Sequence, residues 1–380
     1  MPPLLPIQND TPRTVFIFGA GASYSAGVPL QADLVPQILK ESDPQLRNSE
    51  IATRVRTFIR ENFDPQDRFP SLEEVFGLIA FCISNDQSLS KDWSTDNLLR
   101  IRNDLIKVIH YLISRGTAQS DDFRLFWQRV SDMQASIGVI TTNYDTLIDE
   151  AFDAIYPGFL LDYCIDLVNH RHPTNVHPFD WWLDATMPTD VNGAEAPWRV
   201  KLIKLHGSLN WKYCSTCGQV ALTPWQHQFN LKRDSFSTFF ESQVHECSFD
   251  GTRLQSLLQP PSHVKAKTNY IFNRLYDQAA YMLGSAERLV FVGYSFPEAD
   301  VHIRALVKRC FKKAGKIVVV NKSRAQDLRH RYESLAGDVS YHEWTFETFL
   351  RSDLFNRLLA ENPSLTPIHA GKTGKSKRKN

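Results

Sequence analysis

The sequence predicts an α/β fold in which a doubly wound parallel sheet carries a mainly helical insertion and a smaller insertion with paired cysteines. Short apolar runs at 14–18, 137–141, 200–205, 289–293 and 316–321 lack the alternation of half-exposed strands, as strands buried on both faces require. Helical patterns separate several of these runs, and strand alternating with helix favours a parallel sheet. Small or polar turns follow the first four runs, which places the turns together outside the carboxyl ends of the strands, where open α/β sheets bind ligands. The expected architecture is therefore Rossmann-like.

Along the chain, Thr14-Val-Phe-Ile-Phe18 is β-branched and aromatic and runs straight into Gly19-Ala-Gly-Ala-Ser23. Gly19 and Gly21 allow close backbone approach, and the amides of Ala22 and Ser23, with a helix dipole behind them, suit a phosphate. The spacing is shorter than the full G-x-G-x-x-G. Residues 34–135 read as a helical module capping the sheet, with amphipathic stretches from Val35 to Lys40, Ile51 to Glu61, Leu72 to Ile83 and Leu98 to Ser114. Ile137-Gly-Val-Ile140 leads into Thr141-Thr-Asn-Tyr-Asp145 and a helical pattern ending near Tyr156.

Residues 157–199, rich in Pro, Trp, His and Asp, read as an irregular lobe. Val200 to Leu205 precedes His206-Gly-Ser208, and 209–262 forms the cysteine-bearing insertion. Leu289 to Val292 precedes Gly293-Tyr-Ser295 and a helix between Ala299 and Ala314. The strand ending at Asn321, a polar helix from Ser323 to Ala336 and a last strand and helix between Val339 and Leu359 complete the sheet. One domain over 1–365 and a basic, disordered tail over 366–380 are expected.

The 43 basic and 42 acidic side chains give no electrostatic reason for nucleic acid to bind along the whole body. The balance hides a local asymmetry, because Lys372, Lys375, Lys377, Arg378 and Lys379 crowd the end of the chain without an acid. The first ten residues lack a basic segment followed by a sustained apolar one, and no later window is apolar enough to span a bilayer, so a cytoplasmic protein is expected. Six cysteines in 380 residues do not make a disulfide scaffold, and Cys82, Cys164 and Cys310 lie in apolar contexts suited to buried thiols.

Asn143 and Asp145 stand directly after a buried strand, where polar side chains need a partner or a ligand. Asp145 also suits a helix cap, while an amide at a strand's carboxyl end can orient a ribose, an amide or a water. His206 precedes Gly207, which leaves room beside the imidazole for a ligand, and is the natural general base for a hydroxyl or water. Gly293 and Ser295 could bind a second phosphate or ribose, and Asn321 has the position for a ribose or adenine contact. Asp300 reads as a helix cap or as an i,i+4 partner of Arg304. Cys214-Ser-Thr-Cys217-Gly is half of a zinc knuckle, and Cys247-Ser-Phe-Asp250-Gly resembles its partner with aspartate in place of one cysteine. A structural zinc could take Cys214, Cys217, Cys247 and either Asp250 or His245.

The ordered set Gly19-Ala-Gly-Ala-Ser23, Thr141-Thr-Asn-Tyr-Asp145, Leu205-His-Gly-Ser208, the cysteine half-sites and Phe291-Val-Gly-Tyr-Ser295 resembles sirtuin-type NAD-dependent enzymes. Within them it looks like the bacterial sirtuin-like group of antiviral defence. The resemblance implies that NAD is the substrate and that Gly19, Ala20, Gly21 and Ser23 cradle its diphosphate. It places Asn143 and Asp145 at the nicotinamide end, His206 as base, and Gly293, Ser295 and Asn321 on the adenosine side. Any zinc would be structural. The resemblance further implies restraint of activity until an oligomer or a partner, such as a HerA-type ATPase, a short Argonaute or another nucleic-acid-associated protein, signals infection.

Two departures bear on the acceptor. Protein deacylases of this kind continue the glycine motif into G-I-P-D-F-R, where this chain has Gly27-Val-Pro-Leu-Gln-Ala32. Their F-G-E segment, which pairs with an acyl-lysine peptide, corresponds to Leu257-Leu-Gln-Pro-Pro-Ser262, and proline cannot donate to a peptide ladder. Water is therefore the expected acceptor, giving nicotinamide and ADP-ribose. A non-catalytic NAD or ADP-ribose sensor and a protein deacylase or ADP-ribosyltransferase are the rival readings.

Overall fold

The computed structural model describes residues 12–361 except 41, 65–67, 117–120, 157–159, 166, 169–198, 223–228, 232–234, 237–245, 248, 260–269, 313 and 336–337. Most of the expected irregular lobe, the basic tail, His245 and the Pro260-Pro261 pair lie outside the described residues.

The strands are β1 (Thr14–Phe18), β2 (Ile137–Thr141), β3 (Leu160–Asp162), β4 (Leu167–Val168), β5 (Arg199–Lys204), β6 (Gly207–Tyr213), β7 (Val220–Leu222), β8 (Phe229–Asn230), β9 (Ser235–Phe236), β10 (Gln255–Leu258), β11 (Arg288–Val292), β12 (Lys316–Val320) and β13 (Asp338–His342). Seven of them form one sheet in the order β13-β12-β11-β1-β2-β5-β3, with every neighbouring pair parallel. Chain order runs one way from β1 through β2 and β5 and the other way through β11, β12 and β13. The topological switch point, where ligands enter such sheets, is therefore at β1. The expected Rossmann-like doubly wound sheet is present, with one strand, β3, that the apolar pattern did not reveal. A second sheet, β10-β6-β7-β4, holds the cysteine-bearing insertion.

Between β1 and β2 the chain forms α1 (Gln31–Lys40), α2 (Pro44–Arg47), α3 (Glu50–Phe63), α4 (Leu72–Ser84), α5 (Thr95–Gly116) and α6 (Asp121–Asp132). Local chemistry sets several starts. Asp43 accepts from the amides of Gln45 and Leu46, Ser49 accepts from Ala52, and Ser71 with Glu74 forms a reciprocal capping box. Helix α6 escaped the apolar-pattern reading, although Phe123, Phe126, Trp127 and Val130 recur at helical spacing and are all buried. The remaining helices are α7 (Leu147–Ile155), α8 (Tyr270–Ser285), α9 (Val301–Cys310), α10 (Gln326–Glu333), α11 (Phe346–Leu350) and α12 (Asp353–Ala360).

The core is centred on β1, whose five residues are all buried. Phe16 meets Phe126 of α6 edge-on at 5.2 Å and Phe355 of α12 at 6.0 Å, while Phe18 meets Phe346 of α11 at 5.5 Å. Aromatic rings in this geometry add attraction beyond the area they bury. They join the helical module and the carboxyl-terminal helices to one face of the central strand.

The turn after β1 differs from its sequence reading. Two 3-10 turns, Ala20–Ala22 and Tyr24–Ala26, replace the expected helix start, and α1 begins only at Gln31. The amides of Ala22 and Ser23 donate to the carbonyls of Gly19 and Ala20 rather than pointing outward, and the amide of Gly21 donates to the carbonyl of Gly293 at 2.8 Å. The glycines at this point serve an approach of protein to protein. Gly293 has φ +63°, and a Cβ there would lie 2.2 Å from the Ala22 nitrogen, so the turns after β1 and β11 interlock backbone to backbone.

The interlock makes a testable contrast. Gly293→Ala, strained in φ and sterically blocked, is expected to destabilise the fold by about 2 kcal/mol or more and to lower the melting temperature. Gly77→Ala, in the interior of α4 with nothing within 4 Å of the new methyl, is expected to be neutral or to stabilise by up to about 1 kcal/mol. Equal melting temperatures for the two variants would refute the interlock.

Candidate active site

Three strand ends meet at the switch point. The Thr142 amide donates to the Phe18 carbonyl at 3.0 Å, and the Leu205 amide donates to the Thr141 carbonyl at 2.9 Å. The turns after β1, β2 and β5 are thus stitched to each other by backbone bonds. The site residues hang from this frame.

Asn143 is buried, and its Nδ2 donates to the Gly19 carbonyl at 3.2 Å and to Ser23 Oγ at 3.0 Å. Its Oδ1 is buried without a hydrogen-bond partner. An unmet buried acceptor costs about 1–3 kcal/mol, so this oxygen marks a place where a donor belongs. Ser23, with no exposed surface, passes the bond on by donating to Asp145 Oδ2 at 2.8 Å. The other oxygen of Asp145 accepts from the Leu147 amide at 3.1 Å in a local turn, while the residue at the cap of α7 is Thr146, one later than expected, whose side chain makes no capping bond. Burial pushes the Asp145 carboxyl above the usual range, against the opposing pull of Lys204 and of the bonds from Ser23 and Leu147.

Behind this chain lies a fully buried cation that the sequence reading passed over. Lys204 Nζ donates to the Asp145 carbonyl at 2.7 Å and pairs with Asp149 Oδ2 at 2.9 Å, and neither side chain is exposed. Tyr163 donates to the second oxygen of Asp149 at 2.5 Å. The available signals were a lysine inside the apolar run of β5 and an aspartate one helical turn after Asp145. Each was legible as unusual, but neither named its partner.

His206 follows β5 and is buried, with its ring 6.0 Å from that of Tyr144 and 5.8 Å from that of His302. Its Nε2 lies 3.4 Å from Asp300 Oδ1. Gly207 does not open space for a ligand as its size suggested. With φ +80° it admits the β10 backbone so closely that a Cβ would lie 2.1 Å from the Leu257 carbonyl oxygen. The adjoining Gln259 amide donates to the His206 carbonyl at 2.9 Å, so β10 fixes the backbone that carries the imidazole.

On the other side of β1, Gly293 is engaged in the interlock and Ser295 is exposed. Asn321 is consumed within the protein, donating to the Tyr294 carbonyl at 3.1 Å and accepting from the Ser323 amide at 2.9 Å. The structure thus brings Ser23, Asn143 and Asp145 into one hydrogen-bonded chain beside the turn that carries His206. Ala20 and Gly21 lie at the rim, both less buried than Ser23.

The cysteine insertion is a second, separate centre. Cys214 Sγ accepts from the amides of Thr216 and Cys217 at 3.4 Å each, and Cys247 Sγ accepts from the Phe249 amide at 3.4 Å. The carbonyls of Cys214 and Cys247 accept from Gly218 and Gly251 at the same offset, so the two half-sites are copies of one turn. Cys217 and Cys247 sulfurs are 3.5 Å apart, Cys214 Sγ is 3.3 Å from Asp250 Oδ2, and the four ligand atoms all lie within 4.8 Å of one another. Zinc–sulfur bonds of about 2.3 Å in a tetrahedron demand ligand separations of roughly 3.8 Å, so three thiolates and Asp250 fit a structural zinc.

Among the described residues, no helix is long and apolar enough to cross a membrane. No curated protein matches the chain. Among solved structures it is similar to a Sir2 homologue described as a complex with NAD, at 13% identity and a TM-score of 0.45, over 93% of this chain and 91% of that one. It is also similar to a mutant Sir2 homologue described as a complex with ADP-ribose, at 13% identity and a TM-score of 0.40, over 93% and 94% of the two chains. A third, described as a Sir2 homologue mutant with 2'-O-acetyl ADP-ribose, gives 14% identity and 0.41 over 92% of each. Residues 138–339, more than half of the chain, match the profile of the SIR2-like domain and include Asn143, Asp145, His206 and the knuckle turns, and the protein belongs to the SIR2-like domain family.

Proposed function

We propose that this chain is an NAD glycohydrolase that cleaves NAD to nicotinamide and ADP-ribose. The observation that carries the reading is the unpartnered Oδ1 of Asn143, buried at the switch point and one strand away from the buried imidazole of His206. NAD would lay its diphosphate over the rim formed by Gly19, Ala20 and Gly21, with the nicotinamide ribose toward Asn143, Ser23 and Asp145 and the adenosine toward Gly293, Ser295 and Asn321. Asn143 Oδ1 accepts from a ribose hydroxyl or from water. The glycosidic electron pair leaves with nicotinamide, neutralising its pyridinium, while water oxygen bonds to the ribose carbon and gives its proton to His206.

Water is favoured over an acyl group because the stretch from Gly27 to Ala32 lacks the acid, aromatic and arginine of the deacylases. We further read the enzyme as an NAD-depleting effector of bacterial antiviral defence, cytoplasmic and released by oligomerisation or by a partner such as a HerA-type ATPase. Only the restraint in this reading draws on the site, through its depth. Ser23, Asn143, Asp145 and His206 are all buried, and the turn amides are spent on internal bonds, as suits an enzyme held in check.

The test is release of nicotinamide and ADP-ribose from NAD by wild type, Asn143→Ala and His206→Ala, each confirmed as folded by thermal melt, with and without the product of the neighbouring gene. Each substitution is expected to lower turnover by roughly 10²–10⁴-fold. Retained turnover in both variants would overturn the assignment of the site. NAD binding without turnover in any state would make the protein a sensor instead, and acetyl-ADP-ribose or labelled protein would make it a transferase.

Zinc at Cys214, Cys217, Cys247 and Asp250 is proposed as structural. Elemental analysis of the purified chain should find about one zinc per chain, and Cys217→Ser together with Cys247→Ser should remove it and lower the melting temperature. A metal-free chain with an unaltered melt in the double variant would exclude the metal.

A further inference from the structure

We propose that Asp300 is the positioning residue of His206, fixing the orientation and tautomer of the imidazole, and that the loop from Gly293 to Asp300 exists to aim it. The inference rests on the hydrolase reading for its rate effects, but the Asp300–His206 pair itself does not.

The geometry excludes both simpler roles for Asp300. It occupies the residue before α9, yet its side chain makes no capping bond to that helix. Arg304, its prospective i,i+4 partner, instead lies over the Phe296 ring at 5.7 Å. What Asp300 does touch is specific. Tyr294 donates its hydroxyl to Oδ2 at 2.6 Å, and Oδ1 faces His206 Nε2 at 3.4 Å, with both the carboxylate and the imidazole buried. A carboxylate clamped on one oxygen and turned toward a histidine on the other is how an imidazole is held in one tautomer, leaving its second nitrogen to face a substrate.

The loop carries strain consistent with this purpose. Phe296 has φ +52°, uncommon for any residue with a side chain and more so for a bulky one. It is fully buried, 4.9 Å from the Tyr294 ring and 5.4 Å from that of Tyr332, so packing holds the unfavourable backbone in place. Tyr332 in turn donates to the Tyr294 carbonyl at 2.6 Å. Pro297 follows, and the short turn Glu298–Asp300 then delivers the carboxylate to the far side of the site. The same loop begins at Gly293 and Ser295, assigned above to the adenosine end, so nucleotide contact and base orientation share one segment.

The charged and titratable surroundings are consistent with an ionised Asp300. Burial pushes its carboxyl up, but the His206 ring, the Tyr294 hydroxyl and His302 outweigh burial and bring it to about 2. Tyr276 and Tyr144 also face the carboxylate, and burial first and Asp300 second hold both phenols in the neutral form. Asp300 is thus an anion throughout the range in which an imidazole titrates.

The experiment compares wild type with Asp300→Asn and Tyr294→Phe in two ways. In nicotinamide release, Asp300→Asn is expected to lower kcat by about tenfold or more with little change in KM. Tyr294→Phe, which keeps the carboxylate but frees it, should show the same changes at smaller size. Independently, 15N-histidine NMR of the full chain, with His206 assigned by its loss in His206→Gln, should show a less uniform His206 tautomer in both variants than in wild type. An unchanged His206 tautomer in both variants would overturn the proposal. If Asp300→Asn fails to fold, Tyr294→Phe alone decides by the same readouts. No nicotinamide release by wild type in any state would sink the hydrolase reading while the NMR arm still tests the pair.

Discussion

The arrangement of the site depends on one buried cation. Lys204 closes β5 with no exposed surface, and its ammonium is held by the Asp149 carboxylate and the Asp145 carbonyl. Breaking such a pair by removing one partner typically costs 3–5 kcal/mol, because the remaining charge is stranded in low dielectric. That penalty ties the end of β5 to the start of α7. It therefore sets the position of the turn from Asn143 to Asp145 relative to the turn that carries His206. Tyr163 satisfies the remaining oxygen of Asp149, so the network is closed on that side. A lysine outside the candidate site thus fixes the relative position of the two turns that carry Asn143 and His206.

The interlock of glycines acts in the same sense on the other side of β1. Gly21 and Gly293 approach closely enough to exchange a backbone bond, and the first glycine of the motif is similarly confined, since a Cβ on Gly19 would lie 2.5 Å from the Tyr294 Cα. The small residues after β1 are demanded by the loop after β11, whatever a ligand also demands of them. That loop ends at Asp300, so an unbroken set of contacts runs from the first turn of the sheet, through Tyr294 and Phe296, to the imidazole of His206.

The sheet was legible because strands buried on both faces leave apolar runs that no other element explains, and each run from β1 to β12 fell within a residue of the strand observed. β3 was not legible, being only Leu160–Asp162 inside a polar stretch, because three residues carry no period. In the site, Asn143, Asp145 and His206 could be read because a polar residue straight after a buried strand contradicts its surroundings. Lys204, Asp149 and Asp300 could not. Their meaning lies in pairs separated by 55 residues for Lys204 with Asp149 and by nearly a hundred for His206 with Asp300, and spacing along a chain does not record such pairs. Glycine was misread for the opposite reason. Its absence of a side chain is local and visible, but whether the vacated space receives a ligand or another part of the backbone is decided by the fold, as at Gly207.

The internal satisfaction of the first turn has an energetic consequence for any ligand. The amides of Gly21, Ala22 and Ser23 each already donate to a carbonyl of the protein, and the Ser23 hydroxyl already donates to Asp145. A diphosphate seeking those donors must exchange protein bonds for its own, and such exchanges return only about 0.5–1.5 kcal/mol each where they gain at all. Asn143 Oδ1 is different, because it has no bond to give up and carries the full cost of a buried acceptor until a donor arrives. Unmet bonding demand is therefore concentrated at Asn143 and is thin along the turn that a glycine motif would ordinarily assign to the phosphates.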